Sequence, residues 1–221
     1  MVANNIKADI ETKVNGLILA GGRARRMDGQ DKGLILLDGK HMIEYCISNL
    51  RPQVGQIFIS ANRNTEQYGR YGLPILEDKF GDFEGPLAGL MRALTHSGDT
   101  PVLVVPCDAP FLSASLASRL LESYANTKTS VVIPHDGDRL QPLFGLYSPE
   151  VAASLRDYLA SGQRKVETWV TTLPYTVVDF SDESESFMNI NTVSDLQTAQ
   201  SILHSRLHSN CTEENGAHHA E

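Results

Sequence analysis

A pair of glycines followed by cationic side chains makes one stretch of this sequence well suited to bind a phosphate group. The stretch LILAGGRARRMDGQDKGLIL runs from Leu17 to Leu36 and places Gly21–Gly22, Arg26 and Lys32 between two apolar runs. Glycines allow several N–H groups to point at one anion and let that anion approach the backbone closely. An arginine offers a planar fork of donors and a lysine a mobile point charge, which together suit a polyphosphate. The sequence therefore predicts a loop that binds the phosphates of a nucleotide.

The spelling of this loop excludes two common phosphate-binding motifs. A P-loop ends in Gly-Lys-Ser/Thr, but Gly29 is followed here by Gln30, Asp31 and Lys32. The dinucleotide fingerprint G-x-G-x-x-G is not provided by Gly21–Gly22. A strand, a tight turn and a solvated basic loop without any function remains the alternative explanation of the pattern.

Polar side chains also follow other predicted strands, at the edge where parallel sheets bind their ligands. Asp108 comes just after the apolar run PVLVVP, Asp78 after LPIL, and Asn62 after QIFIS. Magnesium is usually held by one or two carboxylates together with substrate phosphates and water, so Asp108 beside a phosphate loop predicts a metal ligand. Taken alone, Asp108 would suit the N-terminal cap of the next helix equally well.

The loop spelling LAGG-x-x-x-RM-x-G-x-DKG resembles the nucleotidyltransferases, and most closely the molybdenum cofactor guanylyltransferases of MobA type. PCDAPFL also resembles this family's PCD-x-P segment, whose aspartate binds magnesium and the nucleotide. SANR resembles the family's NANR, but Ser60 stands where a nucleotide-contacting asparagine is expected. A hydroxyl replaces an amide as donor or as acceptor but not as both at the same reach. The nucleotide-binding residues that the resemblance implies are Leu19, Ala20, Gly21, Gly22, Lys32, Ser60, Asn62, Asp78 and Asp108.

A second family segment lies near the end of the resemblance, which covers Leu17 to Leu196. The spelling NINT, with Asn189 and Asn191, resembles the family's NVNT on the pterin side of the cleft. Two amides two residues apart on an extended segment point the same way, so both could face one ligand. For Asn191 a capping role before the last helix is an equally good interpretation.

The resemblance implies a magnesium-dependent enzyme in which the terminal phosphate of molybdopterin attacks the α-phosphorus of GTP and pyrophosphate leaves. Arg26, Lys32 and Asp108 are implied to be catalytic, with Asp108 holding Mg²⁺. GTP and molybdopterin are the expected partners, with other proteins of molybdenum cofactor biosynthesis and molybdoenzyme chaperones as further candidates. Two alternatives remain: a sister nucleotidyltransferase that uses CTP or a sugar phosphate, and a non-catalytic nucleotide or cofactor carrier.

Composition limits the class of protein and its surroundings. The 221 residues carry a formal net charge of −8, which argues against a nucleic acid or a membrane surface as partner. The cysteines are Cys46, Cys107 and Cys211, an odd number spaced too far apart for a disulfide framework or a zinc site. We therefore expect a cytoplasmic protein. No apolar run has the length of a leader segment or a membrane span.

Strand and helix patterns alternate along the chain. This predicts a three-layer α/β/α, Rossmann-like fold with a mostly parallel central sheet. The resemblance implies that it is the nucleotidyltransferase fold. We expect a flexible tail at 1–12, one domain at 13–203 and a disordered polar tail at 204–221. Apolar runs predict strands at 14–20, 56–60, 73–76 (at an edge, because of Pro74), 101–106, 130–134, 143–147 (a candidate antiparallel strand) and 176–180. Helical spacing predicts helices within 43–50, 85–94, 116–124, 151–159, 166–173 and 192–203.

Overall fold

One large, mostly parallel sheet forms the centre of the protein. The structure is a computed structural model that describes residues 14–20, 30–77 and 85–216. Seven strands follow one another across the sheet in the order β5-β4-β1-β6-β8-β7-β9, while β2 and β3 form a separate hairpin. Every neighbouring pair in the sheet is parallel except those made by β8, which runs against β6 and β7. In chain order the strands are β1 (Asn15–Leu19), β2 (Leu36–Leu37), β3 (Lys40–His41), β4 (Ile57–Ser60), β5 (Ile75–Leu76), β6 (Val102–Pro106), β7 (Val131–His135), β8 (Leu146–Tyr147) and β9 (Tyr175–Asp179).

Helices cover both faces of this sheet, which confirms the predicted three-layer architecture. Alternate side chains of a strand point to opposite faces, so Leu17 and Ile18 of β1 enter different hydrophobic cores. The helices are α1 (Met42–Leu50), α2 (Thr65–Gly69), α3 (Pro86–Ser97), α4 (Leu116–Thr127), α5 (Ala152–Ala160), α6 (Val166–Val170) and α7 (Val193–Gly216). The core that contains Ile18 also takes the apolar faces of α1 and α4. The core that contains Leu17 takes those of α3, α5 and α6, including the fully buried Trp169.

The predicted strands agree with the sheet in position and direction. β6 is buried along its whole length, as expected of a central parallel strand covered on both faces. β5 lies at the sheet edge, in agreement with the proline that precedes it. The candidate antiparallel strand is confirmed as β8, although it is only two residues long because 142–144 forms a 3-10 turn.

The N-terminus of α7 is fixed by a reciprocal pair of cap hydrogen bonds. The Asp195 N–H donates to Thr192 Oγ1 at 3.1 Å, and the Thr192 N–H donates to Asp195 Oδ2 at 2.9 Å. Such a capping box satisfies N–H groups that have no partner inside the helix. The predicted start of the last helix is thereby confirmed.

The sequence predicts a disordered tail from His204 onward, whereas α7 continues to Gly216 in the structure. The polar composition suggested disorder, but no proline or glycine interrupts the sequence between Val193 and Asn215. Arg206 also pairs with Glu185, and its guanidinium lies 4.9 Å from the ring centre of Phe111. The predicted N-terminal tail, up to residue 12, and residues 217–221 lie outside the described residues.

A hairpin and a short helix in the described part of the chain were not predicted from the sequence. One is the β2–β3 hairpin, whose turn places Asp38 and Gly39 at φ values of 48° and 79°. The other is α2, which begins directly after Asn64. The backbone of Asn64 has a left-handed conformation. Across the described residues, no helix combines the length and the apolar content needed to span a membrane.

Candidate active site

The carboxyl ends of β1, β4 and β6 meet at one edge of the sheet. Their last residues are in register, since Leu19 pairs with both Ser60 and Pro106. Beyond the strands, the Ala20 N–H donates to the Ser60 carbonyl at 2.8 Å and the Cys107 N–H to the Leu19 carbonyl at 3.0 Å. This edge therefore presents the start of the glycine loop, the chain after β4 and the chain after β6 side by side. Gly21, Gly22, Arg26 and Asp78, which were predicted at the same edge, lie outside the described residues.

Lys32 and Asp108 form an ion pair at this edge. Lys32 Nζ lies 2.7 Å from Asp108 Oδ2, and the two side chains are 22% and 9% exposed. Lys32 also donates a hydrogen bond to Asn191 Oδ1. The structure thus brings together three side chains that sequence analysis had assigned to phosphate, metal and pterin.

Asn191 is held from several directions. Its backbone N–H donates to Asp195 Oδ2 at 2.9 Å, and its side-chain Nδ2 donates to the Asn189 carbonyl at 3.4 Å. The pKa of Asp195 is lowered, first because the Asn191 N–H donates to its carboxylate and also through Thr192 and the charge of Lys32. Asn191 therefore belongs to the helix cap through its backbone, while its side chain reaches Lys32.

Asn189 carries an unsatisfied polar atom. Its side-chain Oδ1 is buried and has no hydrogen-bond partner in the part of the chain that is described. A buried acceptor without a donor costs about 1–3 kcal/mol. A ligand N–H or O–H at this position would remove that cost.

Asp31 is a buried carboxylate whose role sequence analysis had not recognised. Its Oδ1 accepts hydrogen bonds from the Tyr68 hydroxyl at 2.5 Å and the Gly33 N–H at 3.3 Å, and Oδ2 accepts one from Asn64 Nδ2 at 3.0 Å. Gly33 has no room for a side chain, since a Cβ there would lie 2.6 Å from the Tyr68 hydroxyl. Asp31 thus fixes the turn that carries Lys32, and its oxygens are already engaged by protein donors.

Ser60, at the end of β4, packs closely against a neighbouring helix. A Cβ added at Gly89 would lie 2.5 Å from Ser60 Oγ and 3.0 Å from Leu19 Cδ2. The Ser60 hydroxyl therefore lies against the Gly89 backbone of α3, and it is the Ser60 carbonyl that faces Ala20. Asn62, two residues further on, is exposed beyond the end of β4.

We expect Gly89→Ala to destabilise the protein by about 1–3 kcal/mol, because the methyl group would overlap Ser60 and Leu19 at the end of two strands. This outweighs the roughly 1 kcal/mol that alanine gains over glycine in a helix. Thermal and urea unfolding monitored by circular dichroism measure the change. Gly69→Ala in α2 is the matched control, since its nearest neighbour would be Ile75 Cδ1 at 3.9 Å. Equal stability of the two variants would contradict the close packing of Ser60 against α3.

The chain after β7 adds a rigid turn at the far half of the same edge. Asp136 accepts hydrogen bonds from the N–H groups of Asp138 and Arg139 at 2.9 and 2.8 Å, and from Gln141 Nε2 at 2.5 Å. Sequence analysis did not single out this turn, although the spelling HDGDR is a turn signal at a strand end. β8 separates this half of the sheet from the half that carries Lys32 and Asp108.

The carboxylate of Asp108 suits a magnesium ion that arrives with its substrate. Asp108 Oδ1 has no hydrogen-bond donor among the described residues, and no group of three or more metal-binding side chains occurs in them. Magnesium commonly takes one or two carboxylates and fills its other positions with phosphate oxygens and water. A single carboxylate such as Asp108, beside the predicted phosphate loop, meets this requirement.

The ends of the parallel strands β1 and β6 bring Lys32 and Asp108 together at one edge of the sheet, which is the arrangement expected of a nucleotidyltransferase. The chain belongs to the family of MobA-like NTP transferase domains, whose model matches residues 16–175. This confirms the family predicted from the loop and PCD segments.

Curated relatives and solved structures agree with this family. The molybdenum cofactor guanylyltransferase of Shewanella sp. (strain MR-4) is 41% identical over 180 residues, which cover 81% of this chain and 91% of the relative. That of Shewanella loihica (strain ATCC BAA-1088 / PV-4) is 39% identical over 193 residues, covering 87% and 98%. The crystal structure of molybdopterin-guanine dinucleotide biosynthesis protein A from Archaeoglobus fulgidus superposes with a TM-score of 0.75 at 26% identity, covering 86% and 99%. 2-C-methyl-D-erythritol 4-phosphate cytidylyltransferase from Thermus thermophilus shares the fold, with a TM-score of 0.67 at 17% identity and coverage of 86% and 98%.

Proposed function

We propose that this enzyme transfers GMP from GTP to molybdopterin and so forms the molybdopterin guanine dinucleotide cofactor. A terminal phosphate oxygen of molybdopterin forms a bond to the α-phosphorus of GTP, the bond from that phosphorus to the β-phosphate oxygen breaks, and pyrophosphate leaves. The observation that carries the proposal is the Lys32–Asp108 pair at the sheet edge, in a chain 41% identical to a molybdenum cofactor guanylyltransferase.

The chemistry asks the protein for alignment and charge neutralisation rather than proton transfer. The incoming phosphate is already a nucleophile, so no general base is required. Lys32 binds and orients the triphosphate, and we propose Arg26 as a second cation that does so from the glycine loop. Backbone N–H groups from Leu19 to Gly22, with Asn62 and Asp78, complete the proposed nucleotide site.

We propose Asp108 as the protein ligand of Mg²⁺. Its carboxylate is 9% exposed and lies at the end of the fully buried β6, which gives it a fixed position. The bound ion would supply Lewis-acid stabilisation of charge on the triphosphate. Without nucleotide, Lys32 neutralises Asp108. Once Mg²⁺ binds the Asp108 carboxylate, Lys32 is placed to contact the phosphate oxygens.

The acceptor is proposed to lie on the side of Asn189 and Asn191. The unsatisfied Asn189 Oδ1 suits a pterin, whose ring N–H and amino groups are donors that this acceptor lacks. The N-terminal cap of α7 lies beside Lys32. Molybdopterin bound at this cap would therefore lie next to the triphosphate.

The wider setting follows from composition. We propose a cytoplasmic enzyme, since Cys46 and Cys107 are free thiols buried in the core. Burial raises the pKa of the Cys46 thiol to about 12, so it stays protonated and is not a nucleophile. The net charge of −8 disfavours nucleic acid and membrane surfaces, and proteins that deliver molybdopterin or accept the finished cofactor are the proposed partners.

We expect GTP to be bound at least about fivefold more tightly than ATP, because guanine and adenine present opposite donor and acceptor patterns and one unmatched buried group costs about 1–3 kcal/mol. Competition binding with GTP, ATP and CTP measures the preference. Pyrophosphate release in the presence of purified molybdopterin then tests turnover, with a sugar phosphate as the alternative acceptor. Preference for CTP would favour the sister nucleotidyltransferase, and tight GTP binding without pyrophosphate release would favour a carrier.

A further inference from the structure

The ammonium group of Lys32 is held by two different parts of the chain. An ammonium has three N–H donors. One of them is directed at the Asp108 carboxylate after β6, and another at Asn191 Oδ1 before α7. Among the described residues no acceptor occupies the remaining donor, which is available for a phosphate oxygen.

The two acceptors differ in charge, and this gives them different effects on Lys32. Asp108 is a carboxylate, which neutralises the ammonium and attracts metal ions. Asn191 is a neutral amide, which orients the ammonium without cancelling the charge that a triphosphate needs. When a metal engages Asp108, Asn191 is the protein group left to position Lys32.

Asn191 is rigid enough for this task. Asp195 accepts its backbone N–H at 2.9 Å, and the same carboxylate oxygen accepts the Thr192 N–H at 2.9 Å. Its own Nδ2 donates to the Asn189 carbonyl at 3.4 Å, which directs Oδ1 toward Lys32. The nucleotide site is thereby tied to the cap of α7, an element that lies beyond residues 16–175 of the family match.

We infer that Asn191 is a positioning residue of the nucleotide site, acting through Lys32 on the triphosphate. The inference deepens the proposed function and rests on its assignment of Lys32 to the phosphates. It differs from a role in binding molybdopterin alone, because it requires Asn191 to affect the affinity for nucleotide when no molybdopterin is present.

The test measures binding of Mg·GTP and of Mg·tripolyphosphate by isothermal titration calorimetry without molybdopterin. We expect Asn191→Ala to weaken both ligands about five- to tenfold, because Lys32 loses one of its two restraints. Asn191→Asp, which has the same shape, should weaken them further, because the added carboxylate neutralises Lys32 and repels phosphate. Asn126→Ala and Asn126→Asp make the same chemical changes at an exposed position on α4 and should leave both affinities unchanged.

Wild-type affinity in Asn191→Ala and Asn191→Asp would overturn the inference, as would equal losses in the Asn126 variants. Circular dichroism of each variant establishes that it is folded, and the isosteric Asp variant decides the question if the Ala variant unfolds. Tripolyphosphate contains no base, so it tests the role of Asn191 separately from the preference of the site for guanine. If the wild type binds tripolyphosphate but shows no preference for GTP, the guanylyl assignment fails while the Asn191 comparison still decides the inference.

Discussion

Replacing Asp108 by asparagine is expected to lower pyrophosphate release from Mg·GTP and molybdopterin by at least about 100-fold, with the fold intact. The substitution keeps the shape of the side chain but removes the charge that balances Lys32 and that we propose as the ligand of the metal. Loss of one stabilising group at a reacting phosphate typically costs about 10²–10³ in rate, roughly 2.7–4 kcal/mol. The fold is expected to survive because the Ile190 N–H binds the backbone carbonyl of Asp108 at 2.9 Å, which the change leaves in place.

Initial rates across a magnesium titration, with circular dichroism of the same samples, measure this effect. Asp108→Ala should lose at least as much activity, because it also leaves a gap beside Lys32. Asp157→Asn removes the same charge from an exposed position on α5 and serves as the control. A folded Asp108→Asn enzyme with near-normal rate would eliminate the metal role of this carboxylate.

Lys32→Ala is expected to lower kcat/KM for GTP by about 100-fold while leaving the ranking of GTP, ATP and CTP unchanged. Lysine acts on phosphate as a point charge and carries no information about the base. In the proposed site, removing it takes away a cation that contacts the triphosphate in both the ground state and the transition state. Steady-state kinetics with each nucleotide separate the loss of affinity from any loss of selectivity.

The control for this variant is Lys165→Ala, which removes a lysine from an exposed position. Lys32→Ala also leaves the Asp108 carboxylate, which is 9% exposed, without its cation, so a lower melting temperature is expected as well. Rates are therefore compared well below that temperature. Normal GTP kinetics, or a switch in the preferred base, would contradict the phosphate role of Lys32.

Much of the fold could be predicted because apolar patterns report directly on burial. β6 is a continuous apolar run and is buried on both faces, and Thr192 with Asp195 forms the expected cap of α7. The β2–β3 hairpin was missed because strands of two residues are too short for periodicity. Its Asp38–Gly39 turn was the available signal, since both residues adopt the positive φ that a tight hairpin requires.

The candidate site could be predicted only where strand direction alone brings residues together. Lys32 and Asp108 were expected at one edge, and the structure places them 2.7 Å apart. The hydrogen bond from Lys32 to Asn191 depends on how the cap of α7 packs against the sheet, which no local pattern encodes. The direction of the Ser60 hydroxyl likewise depends on the close approach of Gly89 from a separate helix.

The contact between Lys32 and Asn191 joins residues 159 positions apart in the chain. A ribosome adds about 5–20 residues per second, so Asn191 is synthesised roughly 8–30 s after Lys32. The sheet strands β1, β4 and β6 emerge earlier and can pair before that time. The contact that positions Lys32 is thus among the last features to form during synthesis. Nascent chains that stop short of Asn191 do not hold Lys32 in the position that it has in the complete protein.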